Sequence, residues 1–245
     1  MATGPHPLFH PGWGRRGFTL LELLAVLTVI TILVALVAPS MARALQSARA
    51  TDSLGNLRQI GSALVLFAAE HEGRLPNGDG YEYALRDYLH SSLNIRTVFI
   101  SQNADKNPRV QGSVIPITYS VHGTMLATNP ASGGLGQLVS APRRPARLIL
   151  VADGNQAPNN FWQANHRFQN PSEYVYGSYA QFTEEQLKTP LDGSWGGRGV
   201  GPDQASPNAG WFRYCNNGAV AGSMTDGHAE LIPKGQVRAE NLVPF

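Results

Sequence analysis

The stretch "GRRGFTLLELLAVLTVITILVALVAP" (residues 14–39) sets Arg15 and Arg16 in front of a run with a single charge, Glu22. From Phe18 to Ala38 the run is long enough, at about 1.5 Å per helical residue, to cross roughly 30 Å of hydrocarbon. It reads as a membrane segment. An acid at mid-bilayer costs roughly 2.5–3.5 kcal/mol, but Glu22 lies only about 6 Å along the helix from Phe18, where head groups and water soften that cost. It also faces the positive end of the helix macrodipole, typically a gain of about 0.3–1 kcal/mol. A free amine at a new N-terminus would be a stronger partner still. Two export signals compete for this run. A cleaved secretory signal usually has about 7–15 apolar residues before a small-x-small site, and this run closes on alanines. A twin-arginine signal would use Arg15 and Arg16 with the following Phe18 and Leu20. Neither has a use for Glu22.

Residues 15–24, Arg-Arg-Gly-Phe-Thr-Leu-Leu-Glu-Leu-Leu, resemble the processing signal of type IV prepilins and type II secretion pseudopilins. The resemblance implies cleavage after Gly17 by prepilin peptidase, N-methylation of Phe18, and pairing of Glu22 with the Phe18 amine of a neighbouring subunit during assembly. Pro39 falls where many pilin helices carry a proline, and implies a helix bend. The implied partners are the peptidase, other pilin or pseudopilin subunits in a homo- or heteropolymer, an inner-membrane assembly platform, and lipid before assembly. The implied location is a single pass through the bacterial inner membrane with the head in the periplasm, or on a surface filament after assembly. Arginines alone do not orient the span, because Arg43, Arg49 and Arg58 balance Arg15 and Arg16. The leader, 1–17, is rich in proline and glycine and reads as extended.

Beyond Pro39, Leu54, Leu57, Ile60, Leu64 and Phe67 recur every three or four residues, the stripe of an amphipathic helix packed on a core. Gly73 and Pro76 supply its stop. One helix from Phe18 to about Glu72 is the leading reading; a membrane anchor followed by a separate core helix gives the same periodicity. Gly55 and Gly61 each weaken the helix by up to about 1 kcal/mol relative to alanine, and mark flexible or closely packed points. "YEYALRDYLH" (81–90) reads as a short helix with Tyr81, Leu85, Tyr88 and Leu89 on one side. Strands are expected at Val114–Val121, Arg147–Ala152, Ala219–Met224 and Ala229–Pro233. The last two are joined through Asp226-Gly227 as a tight hairpin. The expected fold class is α+β, a long helix against a small antiparallel sheet with long loops, especially 155–210. The expected division is a leader 1–17, a membrane and filament-core half 18–38, an amphipathic half 39–75 and a head 76–245.

Composition narrows the function. With 15% charged residues and a net charge of +2, the chain lacks the basic footprint of a nucleic-acid binder. Loss of Arg15 and Arg16 with the leader would leave the 19 basic residues reduced to equality with the 17 acidic ones. Its 26 glycines and 17 prolines suit long connections in a folded domain. The single cysteine, Cys215, excludes a disulfide-stapled scaffold. No G-x-S-x-G elbow, H-E-x-x-H or D-x-D-x-D-G pattern occurs.

Two further segments, "PRRPARLILVADG" and "NNGAVAGSMTDGHAELI", resemble a pilin-like group abundant in planctomycete and verrucomicrobial bacteria that ends in a strand, Asp-Gly-His and another strand. Asn216 stands where that group usually has histidine, and His122 where it commonly has asparagine. Asp153 and Asp226 each follow an apolar strand and precede glycine, so they could meet at one sheet edge with His228 or His166. Calcium suits such oxygen ligands, and some secretion pseudopilins bind it in a C-terminal loop. Turn roles for both Asp-Gly pairs are the competing reading, and no other cofactor is expected. The aromatics Phe161, Trp162, Tyr174, Tyr176, Tyr179, Trp195, Trp211 and Tyr214 could stack on sugars or a partner, or fill the core beneath long loops. The function that follows is a structural filament subunit rather than an enzyme. The alternative is a membrane-anchored periplasmic ligand-binding module or hydrolase that uses the helix only as an anchor.

Overall fold

A computed structural model describes residues 18–89, 95–104, 115–127, 134–154, 156, 167–168, 183–188 and 212–244. The chain divides into two compact units, Met1–Ala44 and Leu45–Phe245. Helix α1, Leu20–Glu70, is continuous and belongs to both. The single-helix reading therefore holds over that of a membrane anchor followed by a separate core helix.

In the first unit every described residue is exposed, including the large apolar side chains from Phe18 to Met41. Among the described residues this is the one helix whose length and composition suffice to cross a membrane. Its hydroxyls are spent on its own backbone: Thr28 donates to the Ala25 carbonyl and Thr31 to that of Thr28, each at 2.8 Å. In hydrocarbon no water is present to satisfy them, so this pairing removes the cost of carrying threonine there. Pro39 lies within the helix and takes away the donor for the Ala35 carbonyl. Next to it, the Ser40 hydroxyl donates to the Val37 carbonyl at 2.8 Å.

In the second unit the expected stripe is buried at Leu57, Ile60, Leu64 and Phe67, with Leu54 packed against the cluster. Small residues widen the contact: Ala50, Ser53, Gly61, Ala63 and Ala68 are buried too. A Cβ on Gly61 would collide with the Ser223 hydroxyl, so glycine here permits close approach of helix and sheet. Gly55 has open space around it and no such role. The helix stops where Glu72 and Gly73 turn to positive φ, 55° and 79°, and the Gly73 N–H returns to the Ala68 carbonyl at 2.7 Å. The next helix, α2, spans only Tyr81–Ala84 before continuing as turns, yet Tyr81, Leu85 and Leu89 are buried as the periodicity requires. A further short helix, α3, spans Ile95–Val98.

The sheet contains β1 (Tyr119–His122), β2 (Ile149–Asp153), β3 (Arg167–Phe168), β4 (Ala219–Met224) and β5 (Ala229–Pro233), in the order β3-β1-β2-β4-β5. Four strands are antiparallel neighbours, as expected; β3 is a two-residue parallel addition beside β1. The first expected strand is shorter than read, beginning at Tyr119, and Val114 lies outside the described residues. The β4–β5 hairpin turns at Gly227 with φ 91°, and Met224 N–H reaches the His228 carbonyl at 2.8 Å. Lys234 N–H bonds the Gly218 carbonyl at 2.9 Å, so alternation along the ladder leaves Pro233 on the open side, where a missing N–H costs nothing.

Each face of the sheet carries a core. Tyr119, Val121, Leu150, Val151 and Ala221 pack with α1. Ile149, Ala152, Val220, Met224 and Ile232 pack with Phe168, Phe212, Val237 and Leu242 on the opposite face. A register shift between Ile149 and Val151 lets two consecutive residues of β2 share the helix side. The chain end closes the second core through a 3₁₀ turn at Ala239–Asn241. Helix α4, Glu184–Lys188, lies against that turn. Arg144 joins them, pairing with both Glu184 and Glu240.

Candidate functional site

The N-terminal site is built by the first turn of α1. Thr19 precedes the first helical residue, and Glu22 is the third residue inside it. The Thr19 N–H and hydroxyl both donate to Glu22 Oε2 at 2.9 Å, while the Glu22 N–H donates to Thr19 Oγ1 at 3.2 Å. This is a reciprocal capping box, which satisfies two of the donors that a helix start leaves open. Glu22 is thus fixed by its own chain before any partner arrives. Its Oε1 accepts no hydrogen bond from the described residues. Phe18, at 79% exposed, immediately precedes the cap, whereas Gly17 lies outside the described residues. The sequence signal for this geometry, threonine followed three residues later by glutamate or glutamine, is present at Thr19 and recurs at Thr183 and Gln186, which close a second box at the start of α4.

The head places the proposed acid pair at opposite ends of one strand. Ile149 is opposite Met224 in the β2–β4 register, so Asp226 follows the end of β4 nearest Ile149. Asp153 lies four residues further on, about 13 Å along the strand. The two carboxylates do not share a sheet edge. Among the described residues no cluster of three or more His, Cys, Asp or Glu could hold a metal, and His166 lies outside them. Asp226 has a local role: its Oδ1 takes the His228 N–H at 3.2 Å and lies 2.6 Å from His228 Nδ1. Both side chains are partly exposed at the hairpin turn.

Asp153, fully buried, anchors a different arrangement. Its Oδ2 accepts from Asn216 Nδ2 at 2.7 Å and the Ala221 N–H at 3.2 Å, and its Oδ1 lies 3.6 Å from Arg213 Nη2. Burial pushes the Asp153 carboxyl above its ordinary range, while Arg213 and these donors pull it back. Arg213 itself is fully buried and also donates to Gln156. A guanidinium therefore supplies at Asp153 the positive charge that a bound cation would bring. Asn216 extends the network by accepting from Asn103 at 2.8 Å. Asn216, at the position where the resembling group usually has histidine, is thus a neutral bridge between two segments. Ser101 meets Ser53 of α1 at 3.0 Å, which carries the polar contacts onto the helix.

Cys215 is half-buried, and its thiol is pushed up to about 12 by burial and by the negative charge of Asp153. It is a poor nucleophile there. Of the aromatic group, Tyr214 is buried in the second core; the other seven members lie outside the described residues. The residue of this network missed in the sequence is Arg213. Arg213 follows an apolar Phe212 in a segment with no periodicity, so only the fold brings it to Asp153.

A helix whose apolar first part is exposed throughout and opens on Phe-Thr and an anchored glutamate has the form of a membrane-anchored protein with a pilin-type N-terminus. Residues 14–38 match the family described as Prokaryotic N-terminal methylation motif, which supports a type IV pilin-like family and points to a structural subunit. No curated protein and no solved structure matches the chain.

Proposed function

We propose that the chain is a subunit of a type IV pilus-like or type II secretion pseudopilus filament. Prepilin peptidase cuts after Gly17 and methylates Phe18, and α1 packs among the helices of neighbouring subunits through residues 18–38. The leader lies in the cytoplasm, the helix spans the inner membrane once, and the head is periplasmic until assembly carries it outward. The assembly platform and other pilin or pseudopilin subunits are its partners. The two segments around Asp153 and the Asp226-Gly227-His228 hairpin favour the planctomycete and verrucomicrobial group of such subunits.

The observation that carries this reading is the carboxylate of Glu22 on a helix with no buried residue around it, held at Oε2 by Thr19 and open at Oε1. A charged amine at the end of a cleaved neighbour is a partner of the right sign, and burying a lone carboxylate among apolar helices would otherwise be costly. Glu22→Ala should leave peptidase cleavage intact and reduce filament incorporation at least tenfold, measured by crosslinking and shearing of assembled fibres. Normal incorporation of the variant would sink the role of Glu22. The competing anchored module or hydrolase predicts no effect of Glu22→Ala and ligand binding or turnover by a soluble form starting near Ser47.

A further inference from the structure

His122 is the last residue of β1 and is completely buried. Its ring lies edge-on to Phe168, with centroids 5.3 Å apart. Nε2 lies 2.8 Å from the Leu242 carbonyl, and so donates to it. Nδ1 is approached by the N–H groups of Thr124 and Met125 at 3.2 and 3.3 Å, and so accepts from both. Together these partners require the neutral ring with its proton on Nε2. A second proton on Nδ1 would face two donors inside an apolar core.

The charged groups on the surrounding elements are engaged with one another. On the chain end, Glu240 pairs with Arg144 and Arg238. On β2, Asp153 is held by Arg213 and Asn216. Before β2, the Arg143 N–H donates to the Pro244 carbonyl, and the Arg147 carbonyl accepts from Asn241. No acid among the described residues compensates a charged His122. Burial accordingly pushes its pKa down to about 4, with the hydrogen bond to Leu242 opposing the fall. The element most easily released to hydrate the ring is the segment 239–244, which forms a single short turn and no strand pairing.

We propose that His122 is a neutral-only latch whose protonation releases the C-terminal segment 239–244 and exposes the sheet face beneath Leu242 and Val243, leaving the sheet itself intact. The released form takes up a proton near the ordinary histidine value of about 6.5. The closed form resists protonation until about pH 4. Closure is therefore fully favoured above about pH 6.5 and weakens as pH falls towards 4, and the open fraction should rise about 30-fold from pH 7.5 to 5.

The test is amide hydrogen exchange on the full chain in detergent micelles, corrected for intrinsic rates. Asn241, Leu242 and Val243 report the latch, since each N–H bonds back to Arg238 or Ala239 at 3.0 Å. Ala221 and Gly222 in β4 report the sheet. The latch predicts loss of protection at the three tail amides at pH 5 with β4 unchanged, and a pH-independent tail in His122→Gln. Tail protection at pH 5 equal to that at pH 7.5 would overturn it, as would a parallel loss in β4 or an undiminished acid response in His122→Gln. If His122→Gln does not fold, the wild-type contrast between tail and sheet still decides the matter.

Discussion

The two halves of α1 share a backbone and differ in what surrounds them. Up to Arg49 nothing is buried, and the apolar residues occur on every side of the helix. From Ala50 onward burial returns every three or four residues, with Ser62, Val65 and Leu66 left exposed between. A helix apolar all round is made for lipid or for other helices, whereas a striped one is made for its own core. The polar residues follow the same rule. Thr28, Thr31 and Ser40 bond within the helix, while Ser53 and Asn56 reach out of it to Ser101 and to the carbonyls of Thr97 and Ile100.

The strongest way to break the contrast lies in the buried network that the second half joins. Asp153→Ala leaves Arg213 buried without its carboxylate, and should cost the head about 3–5 kcal/mol in denaturant unfolding followed by tryptophan fluorescence. A loss below about 1 kcal/mol would show that the network contributes little. Comparable in size is the pair Leu64→Ala and Leu27→Ala. The first opens a cavity in the core and should cost about 2–5 kcal/mol. The second removes the same atoms from a side chain that is 52% exposed, and should leave head unfolding unchanged.

A smaller effect separates the two glycines. Gly61→Ala forces a methyl against Ser223 and should destabilise by about 1–3 kcal/mol. Gly55→Ala meets nothing within 4 Å and should stabilise by about 0.4–1 kcal/mol through reduced chain entropy. Equal effects at the two sites, read by thermal unfolding, would show that helix and sheet do not approach closely at Gly61.

Much of this was legible because it is periodic. The apolar run, the stripe from Leu54 to Phe67 and the Asp226-Gly227 hairpin are local patterns with local causes. The alternation of β4 was readable as a strand, but not which partner lies on each side, because Ala221 and Val220 differ in face and not in type. The C-terminal segment escaped notice because Val237, Leu242 and Val243 have no period. The acid pair misled for a related reason: two Asp-Gly sequences look alike along the chain, and only the antiparallel pairing of β2 with β4 sends them to opposite ends. At the N-terminus Glu22 was singled out for its charge and Thr19 only as part of the resembling stretch, so the capping box that joins them came from the structure.

In the proposed function the first unit is a processed filament N-terminus, and Glu22 awaits an amine at residue 18. Mass spectrometry of the mature chain from the native membrane tests it most directly. The expected first residue is Phe18 carrying one added methyl group on its nitrogen. A mature chain beginning near Ala42, or one retaining residues 1–17, would contradict it.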